Sequence, residues 1–171
     1  MTQQTWMAFP ATYRAEEVEE ILYWVKLGES GVVIGGSGSG KSNVAVFLAN
    51  RADVTAMRLP KPIEHYYFFH LDVNGLPGET TANFYRALLN TMYMATEADP
   101  ELHQSIERQL DRLPSHEDSF GLYLALQRAH DAVIRKAGKQ VVWLIDRFDS
   151  ACQLLEATTL NTLRSLRDQF K

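Results

Sequence analysis

Residues 31–42 decide the fold, and they read Gly31-Val32-Val33-Ile34-Gly35-Gly36-Ser37-Gly38-Ser39-Gly40-Lys41-Ser42. Positions 35–42 fit the pattern G-x-x-x-x-G-K-[ST] at every fixed position. Glycines let backbone N–H groups turn inward around phosphate oxygens, and a following helix presents the positive end of its dipole. The stretch therefore predicts a strand over residues 31–34, a phosphate-binding loop, and a helix from Lys41 to about Arg51.

The residue types of this loop predict separate roles. The Lys41 ammonium can reach the β- and γ-phosphates, which makes it a catalytic candidate, and the Ser42 hydroxyl can ligate Mg²⁺. The alternative is a glycine-rich turn that binds no ligand. The other predicted nucleotide contacts are Gly35, Gly36, Ser37, Gly38, Ser39, Gly40 and Asn43.

A second apolar run ends in an acid. Residues 142–146 read Val-Trp-Leu-Ile-Asp, which is typical of a Walker B strand. Open α/β sheets bind ligands at the carboxyl ends of their strands, so Asp146 is predicted to hold Mg²⁺ there and to serve catalysis. The alternative is an acid that only caps the next turn.

The positions after Asp146 depart from the common pattern. Many phosphate-loop ATPases continue with a glutamate that orients the attacking water, but this chain has Arg147, which cannot accept a proton near neutral pH. Asp149 is the nearest acid and a candidate base, although a helix N-cap explains it equally well. Arg147 is open to three interpretations: it faces a phosphate, a partner subunit or solvent.

The remaining chain alternates between helical and strand patterns. A helix is predicted over residues 15–27, strands over 65–71 and 140–145, helices throughout 80–138, and a terminal helix with an apolar stripe of Leu160, Leu163, Leu166 and Phe170. This order predicts one α/β domain over residues 1–171, with a three-layer parallel sheet and a helical stretch between its second and third strands.

Composition narrows the class of protein. The chain has 171 residues, 46% hydrophobic and 22% charged, with a net charge of −4 and one cysteine. We therefore expect a globular, cytoplasmic protein without an intrachain disulfide or a membrane partner. The acidic balance argues against nucleic acid as a partner. Arg164, Arg167 and Lys171 could contact DNA or a neighbouring subunit, but a solvated face is the preferred interpretation of these three residues.

The order of the two motifs, with a strand between them, resembles the additional-strand class of phosphate-loop ATPases. Residues 145–149, Ile-Asp-Arg-Phe-Asp, look like a motif shared by STAND ATPases and the origin-recognition branch of AAA+ ATPases. The resemblance covers residues 9–170 and implies ATP and Mg²⁺ as cofactors and a protein partner or self-association. It also implies that Phe9, Tyr13 and Arg14 lie near the adenine.

The same resemblance implies parts that this sequence does not reach. In those families a sensor strand lies between the Walker A and Walker B strands, and an arginine finger and a helical lid follow. We therefore expect a truncated nucleotide-binding domain that acts as a slow ATPase or conformational switch. Two alternatives stay open: a non-catalytic scaffold, and a nucleotide kinase in which residues 146–148 resemble the Asp-Arg-Tyr motif of thymidylate kinases. The absence of an N-K-x-D sequence favours ATP over GTP.

Overall fold

The computed structural model describes residues 6–76, 78, 80–113 and 118–169. This part of the chain is mixed α/β, as predicted. In chain order its helices and strands are α1 (Ala15–Leu27), α2 (Lys41–Asn50), α3 (Ala52–Ala56), β1 (Tyr66–Asp72), α4 (Thr81–Ala95), α5 (Pro100–Asp111), α6 (Ser119–Asp131), β2 (Gln140–Asp146), α7 (Phe148–Leu154) and α8 (Ala157–Gln169).

Strands β1 and β2 form a small parallel sheet. Their register pairs Tyr66 with Gln140 at one end and Asp72 with Asp146 at the other. Helices α4, α5 and α6 lie between the two strands in the chain, as a parallel connection requires. The sequence prediction of two parallel strands separated by helices is confirmed, although β1 begins and ends one residue later than predicted and β2 ends one residue later. Both strands end in an aspartate at the same edge.

The predicted strand over residues 31–34 is wrong for the described structure. These residues are not part of a ladder, and the sheet consists of β1 and β2 alone within the described ranges. Val32, Val33 and Ile34 are 67%, 42% and 89% exposed. An apolar run becomes a strand only when a neighbouring strand accepts its backbone hydrogen bonds, and the described residues supply none here.

Helices cover both faces of the two-stranded sheet. One hydrophobic core joins Phe69 and Leu71 of β1 to helices α4, α5 and α6. The other core joins Tyr66 of β1 to helices α1 and α2 and to Trp6. Alternate residues of β1 thus point into opposite cores, as the pleat of a strand requires. A full three-layer phosphate-loop sheet would need more strands than these two.

Helix α1 begins and ends where the sequence predicts. Val18, Leu22 and Val25 are buried on one face, and Gly28 ends the helix with a φ of 67°. The left-handed conformation at that position favours glycine. In the described part of the chain, no helix is both long and apolar enough to cross a membrane.

His130 is buried beside β2, with an exposed fraction of 3%. Its Nδ1 lies 2.8 Å from the Leu126 carbonyl, and its Nε2 accepts a hydrogen bond of 2.9 Å from the Trp143 indole. Only the neutral imidazole with a proton on Nδ1 makes both bonds. Burial lowers the pKa of His130 from 6.5 to about 4, so the neutral form persists well below neutral pH.

Candidate functional site

The loop over residues 35–42 curls around its own lysine. Lys41 Nζ donates to the Gly35 carbonyl at 2.6 Å and to the Gly36 carbonyl at 2.9 Å, and it lies 3.4 Å from Ser39 Oγ. Gly38 and Gly40 adopt left-handed φ angles of 74° and 85°, which glycine permits without strain. The sequence therefore places an ammonium group at an exposed loop mouth, directly where α2 begins.

The other predicted loop contacts differ in their exposure. Ser42 is half-buried in the first turn of α2, and the next residue, Asn43, is exposed. Ser37 is exposed in the turn. At Gly35 an added Cβ would lie 2.9 Å from Ser39 Oγ, so only glycine fits without a shift of that serine. The loop is thus tightly wound on one side and open to solvent on the other.

Arg14 reaches this loop from the segment before α1. Its guanidinium donates to the Ser39 carbonyl and to Glu17 Oε1 at 2.8 Å, and it packs against Gly40. A Cβ at Gly40 would lie 3.3 Å from Arg14 Nη2. The structure therefore brings Arg14 to the predicted phosphate loop, although the two lie 25 residues apart.

The Tyr13 side chain packs against α2, whereas that of the adjacent Arg14 contacts the loop over residues 35–42. Its ring centroid lies 5.2 Å from that of Phe47 in α2 and 4.8 Å from that of Phe9. Phe9 stacks in turn on the buried Trp6. These contacts place Tyr13 and Phe9 in an aromatic cluster against α2, and an adenine contact by either residue stays a prediction.

Arg51 fixes the other end of α2 to the same N-terminal segment. Its Nη1 donates to the Phe9 carbonyl at 2.6 Å and to the Trp6 carbonyl at 3.2 Å. Its remaining nitrogens bind both carboxylate oxygens of Asp53, at 2.7 and 2.8 Å. The buried guanidinium is therefore fully occupied, and it holds residues 6–9 against the end of the helix.

The carboxyl ends of β1 and β2 form a second polar group. Asp72 and Asp146 are register partners on neighbouring strands. The Arg147 amide donates to Asp146 Oδ1 at 2.9 Å, and Arg147 Nε lies 3.6 Å from Asp72 Oδ1. Asp72 Oδ1 also accepts from the Asn74 amide at 3.0 Å. The structure confirms that Asp146 ends its strand, and it pairs the following arginine with an acid of the other strand.

Asp149 lies in the first turn of α7 and is exposed. The interpretation of this residue as a helix N-cap is wrong, because the N-cap is Arg147 and it is followed by no side-chain capping bond. The chain leaves β2 with Arg147 in a left-handed conformation, so the helix starts two residues earlier than a cap at Asp149 would allow. Its role as a base stays a prediction.

His70 lies near these strand ends, two residues before Asp72. Burial lowers its pKa, while the carboxylates of Asp146 and Asp72 act in the opposite direction. Its Nε2 is buried and has no hydrogen-bond partner among the residues that the structure describes. The imidazole is thus a neutral neighbour of the two aspartates.

The loop and the strand ends are linked through α2. This helix begins at Lys41 and packs against both β1 and β2. Within the described ranges, no hydrogen bond or ion pair joins Lys41 or Ser42 to Asp146 or Asp149.

Of the basic positions predicted on the terminal helix, Arg167 binds Ser30 at 3.0 Å and Asp168 at 2.7 Å, and Lys171 lies outside the described residues.

Sequence reasoning missed Asp72. The signal was present, because residues 68–72 read Phe-Phe-His-Leu-Asp and thus end an apolar strand with an acid, as residues 142–146 do. The rule that selects Asp146 selects Asp72 once both strands are placed in one parallel sheet. What the sequence does not contain is the register that brings the two carboxylates side by side.

Comparisons of the chain with protein-family models, with curated proteins and with solved structures find no match.

Proposed function

We propose that the chain binds Mg-ATP at the loop over residues 35–42 and uses it as a slow ATPase or a conformational switch. The observation that carries the proposal is the loop geometry: the Lys41 ammonium is held at an exposed glycine-rich turn by two carbonyls of that turn. Carbonyl acceptors are weaker partners for an ammonium than phosphate oxygens, so a polyphosphate would displace them.

The residues around the loop supply complementary charge and polarity. Arg14 adds a second cation that binds the Ser39 carbonyl. Helix α2 contributes the amides of its first turn, which favour an anion. Lys41 would bind the β- and γ-phosphates, Arg14 would stiffen the loop, and α2 would carry the site on the sheet.

Ser42 and Asp146 suit Mg²⁺ in particular. Within the described residues, no three histidine, cysteine or acidic side chains form a metal cage. Magnesium in nucleotide sites takes one or two protein oxygens and completes its shell with phosphate and water. One hydroxyl and one carboxylate therefore fit this ion, which would neutralise phosphate charge when bound.

We propose that β1 and β2 are part of a larger parallel sheet in a three-layer phosphate-loop fold. Two observations support this: Val32, Val33 and Ile34 are exposed, and the apolar residues of β2 are only half-buried on both faces. A strand that is apolar on both faces is typical of the middle of a parallel sheet.

The magnesium assignment is tested with Asp146→Asn. We expect this change to weaken ATP binding about tenfold in Mg²⁺ and by less than about twofold in EDTA, because the lost carboxylate acts through the metal. Titration calorimetry in both media measures the difference. An equal loss in both would assign Asp146 a structural role.

The isolated chain is expected to hydrolyse ATP slowly, below about one turnover per second, because Arg147 stands where a water-orienting glutamate is common. A coupled phosphate-release assay measures the rate. If Asp149 is the base, Asp149→Ala lowers the rate more than it lowers ATP affinity. Rapid hydrolysis that is unchanged in Asp149→Ala would contradict both statements.

The same assays distinguish the two alternative functions. Transfer of phosphate to a nucleoside monophosphate would favour the kinase alternative, and ATP binding without turnover would favour a scaffold.

A further inference from the structure

We infer that Arg147 recognises the terminal phosphate of a bound nucleoside triphosphate, and that Asp72 holds this arginine when that phosphate is absent. The inference rests on the proposed nucleotide site and adds to it the residue that distinguishes a triphosphate from a diphosphate. It is carried by the ion pair between Arg147 and Asp72 and by the backbone conformation at Arg147.

The backbone fixes where the arginine begins. Arg147 has a φ of 57° and a ψ of 42°, a conformation that non-glycine residues adopt rarely. Its amide donates to Asp146 Oδ1, so the main chain folds back onto the carboxylate proposed to hold Mg²⁺. The side chain therefore starts beside the metal ligand instead of continuing away along the strand direction.

The Asp72 carboxylate, which pairs with the Arg147 guanidinium, is positioned by contacts of its own. Asp72 caps the turn Val73–Gly75 by accepting from the Asn74 amide, which fixes its carboxylate at the end of β1. The strand register then sets this carboxylate beside Asp146. The Arg147 side chain thus forms its ion pair with Asp72, while Asp146 accepts a hydrogen bond from the Arg147 amide.

The pair with Asp72 is weak enough to be exchanged. Both side chains are about half exposed, at 52% and 46%, and Nε lies 3.6 Å from the nearest carboxylate oxygen. Water screens such a pair strongly. A phosphate offers the guanidinium two short parallel hydrogen bonds and more negative charge, so a terminal phosphate would outcompete the carboxylate. If Arg147 only faced solvent, neither its left-handed backbone nor its pairing with the capped Asp72 carboxylate would be explained.

The test compares ATP with ADP. Calorimetry in Mg²⁺ gives the dissociation constants of both nucleotides for the full chain and for Arg147→Ala, Asp72→Asn and the double variant. We expect Arg147→Ala to weaken ATP binding about tenfold and to leave ADP binding within about twofold, because only ATP carries the third phosphate. Asp72→Asn keeps the amide cap but releases the arginine, so ATP binds about two to five times more tightly. That gain disappears in the double variant.

Controls separate the guanidinium from folding and from general charge. Arg147→Gly removes the side chain and suits the left-handed backbone, so it should reproduce the loss for ATP without loss of thermal stability. Arg128→Ala removes an exposed arginine of α6 and should change neither constant. Equal losses for ATP and ADP, or no loss for either, would overturn the inference while leaving the nucleotide site intact. A wild-type chain that binds neither nucleotide overturns the proposed function and this inference together.

Discussion

Lys41→Ala is expected to weaken Mg-ATP binding by at least about a hundredfold. Hydrogen bonds to charged groups contribute about 1.5–3 kcal/mol each, and this ammonium would exchange two carbonyl partners for phosphate oxygens. The fold should not suffer, because the Lys41 side chain bonds to atoms of its own loop, and the buried residues of α2 are unchanged. Titration calorimetry measures the affinity, and a thermal melt within about 2 °C of the wild type verifies the fold.

The matched control is Lys26→Ala, which removes an exposed lysine from the last turn of α1. It should bind ATP like the wild type, because that residue lies outside the loop. If Lys41→Ala retains wild-type affinity for ATP, the phosphate-loop assignment is wrong, whatever the turnover rate of the chain.

Acid is expected to destabilise the fold through His130. Its pKa is about 4 in the folded protein and about 6.5 in an unfolded chain. Above pH 7 neither state binds the proton. Between pH 6.5 and 4 the unfolded state takes it up while the folded state does not, so stability falls as the pH falls through this window. The difference between the two pKa values corresponds to a loss of about 3 kcal/mol by pH 4.

Denaturant titrations between pH 7.5 and pH 4 measure this loss. His130→Gln removes the titrating group, so its free energy of unfolding should start lower, because the Trp143 contact is disturbed, and should then fall less steeply with acid. Equal slopes for the wild type and His130→Gln would contradict the assigned pKa.

Sequence patterns predicted the elements whose causes are local. The spacing of Val18, Leu22 and Val25, followed by Gly28, fixes α1 because side-chain periodicity and a glycine cap act within one helix. The loop glycines and Lys41 belong to the same class, since a continuous motif determines its own backbone. The position of Asp146 could also be predicted from the sequence, because residue type changes from apolar to acidic where the strand ends.

The patterns failed where a partner distant in the chain decides the outcome. Val32 to Ile34 look like a strand, but a strand forms only with a neighbour, and no pattern within those residues reports whether one is present. The contacts of Arg14 with Ser39 and of Arg147 with Asp72 span 25 and 75 residues and depend on packing and register. The cap assigned to Asp149 failed because the chain turned two residues earlier.

The attachment of the N-terminal segment by Arg14 and Arg51 has a thermodynamic consequence. Arg14 binds the loop at the start of α2, and Arg51, at the end of α2, binds the carbonyls of Trp6 and Phe9. The segment 6–14 is therefore attached at both ends of the same helix. Coupling between sites is reciprocal: any free energy by which a change at one attachment affects the other is returned in equal amount. A change in the loop that alters the packing of residues 6–14 would therefore be reported by a probe at Trp6, which Arg51 holds at the end of α2.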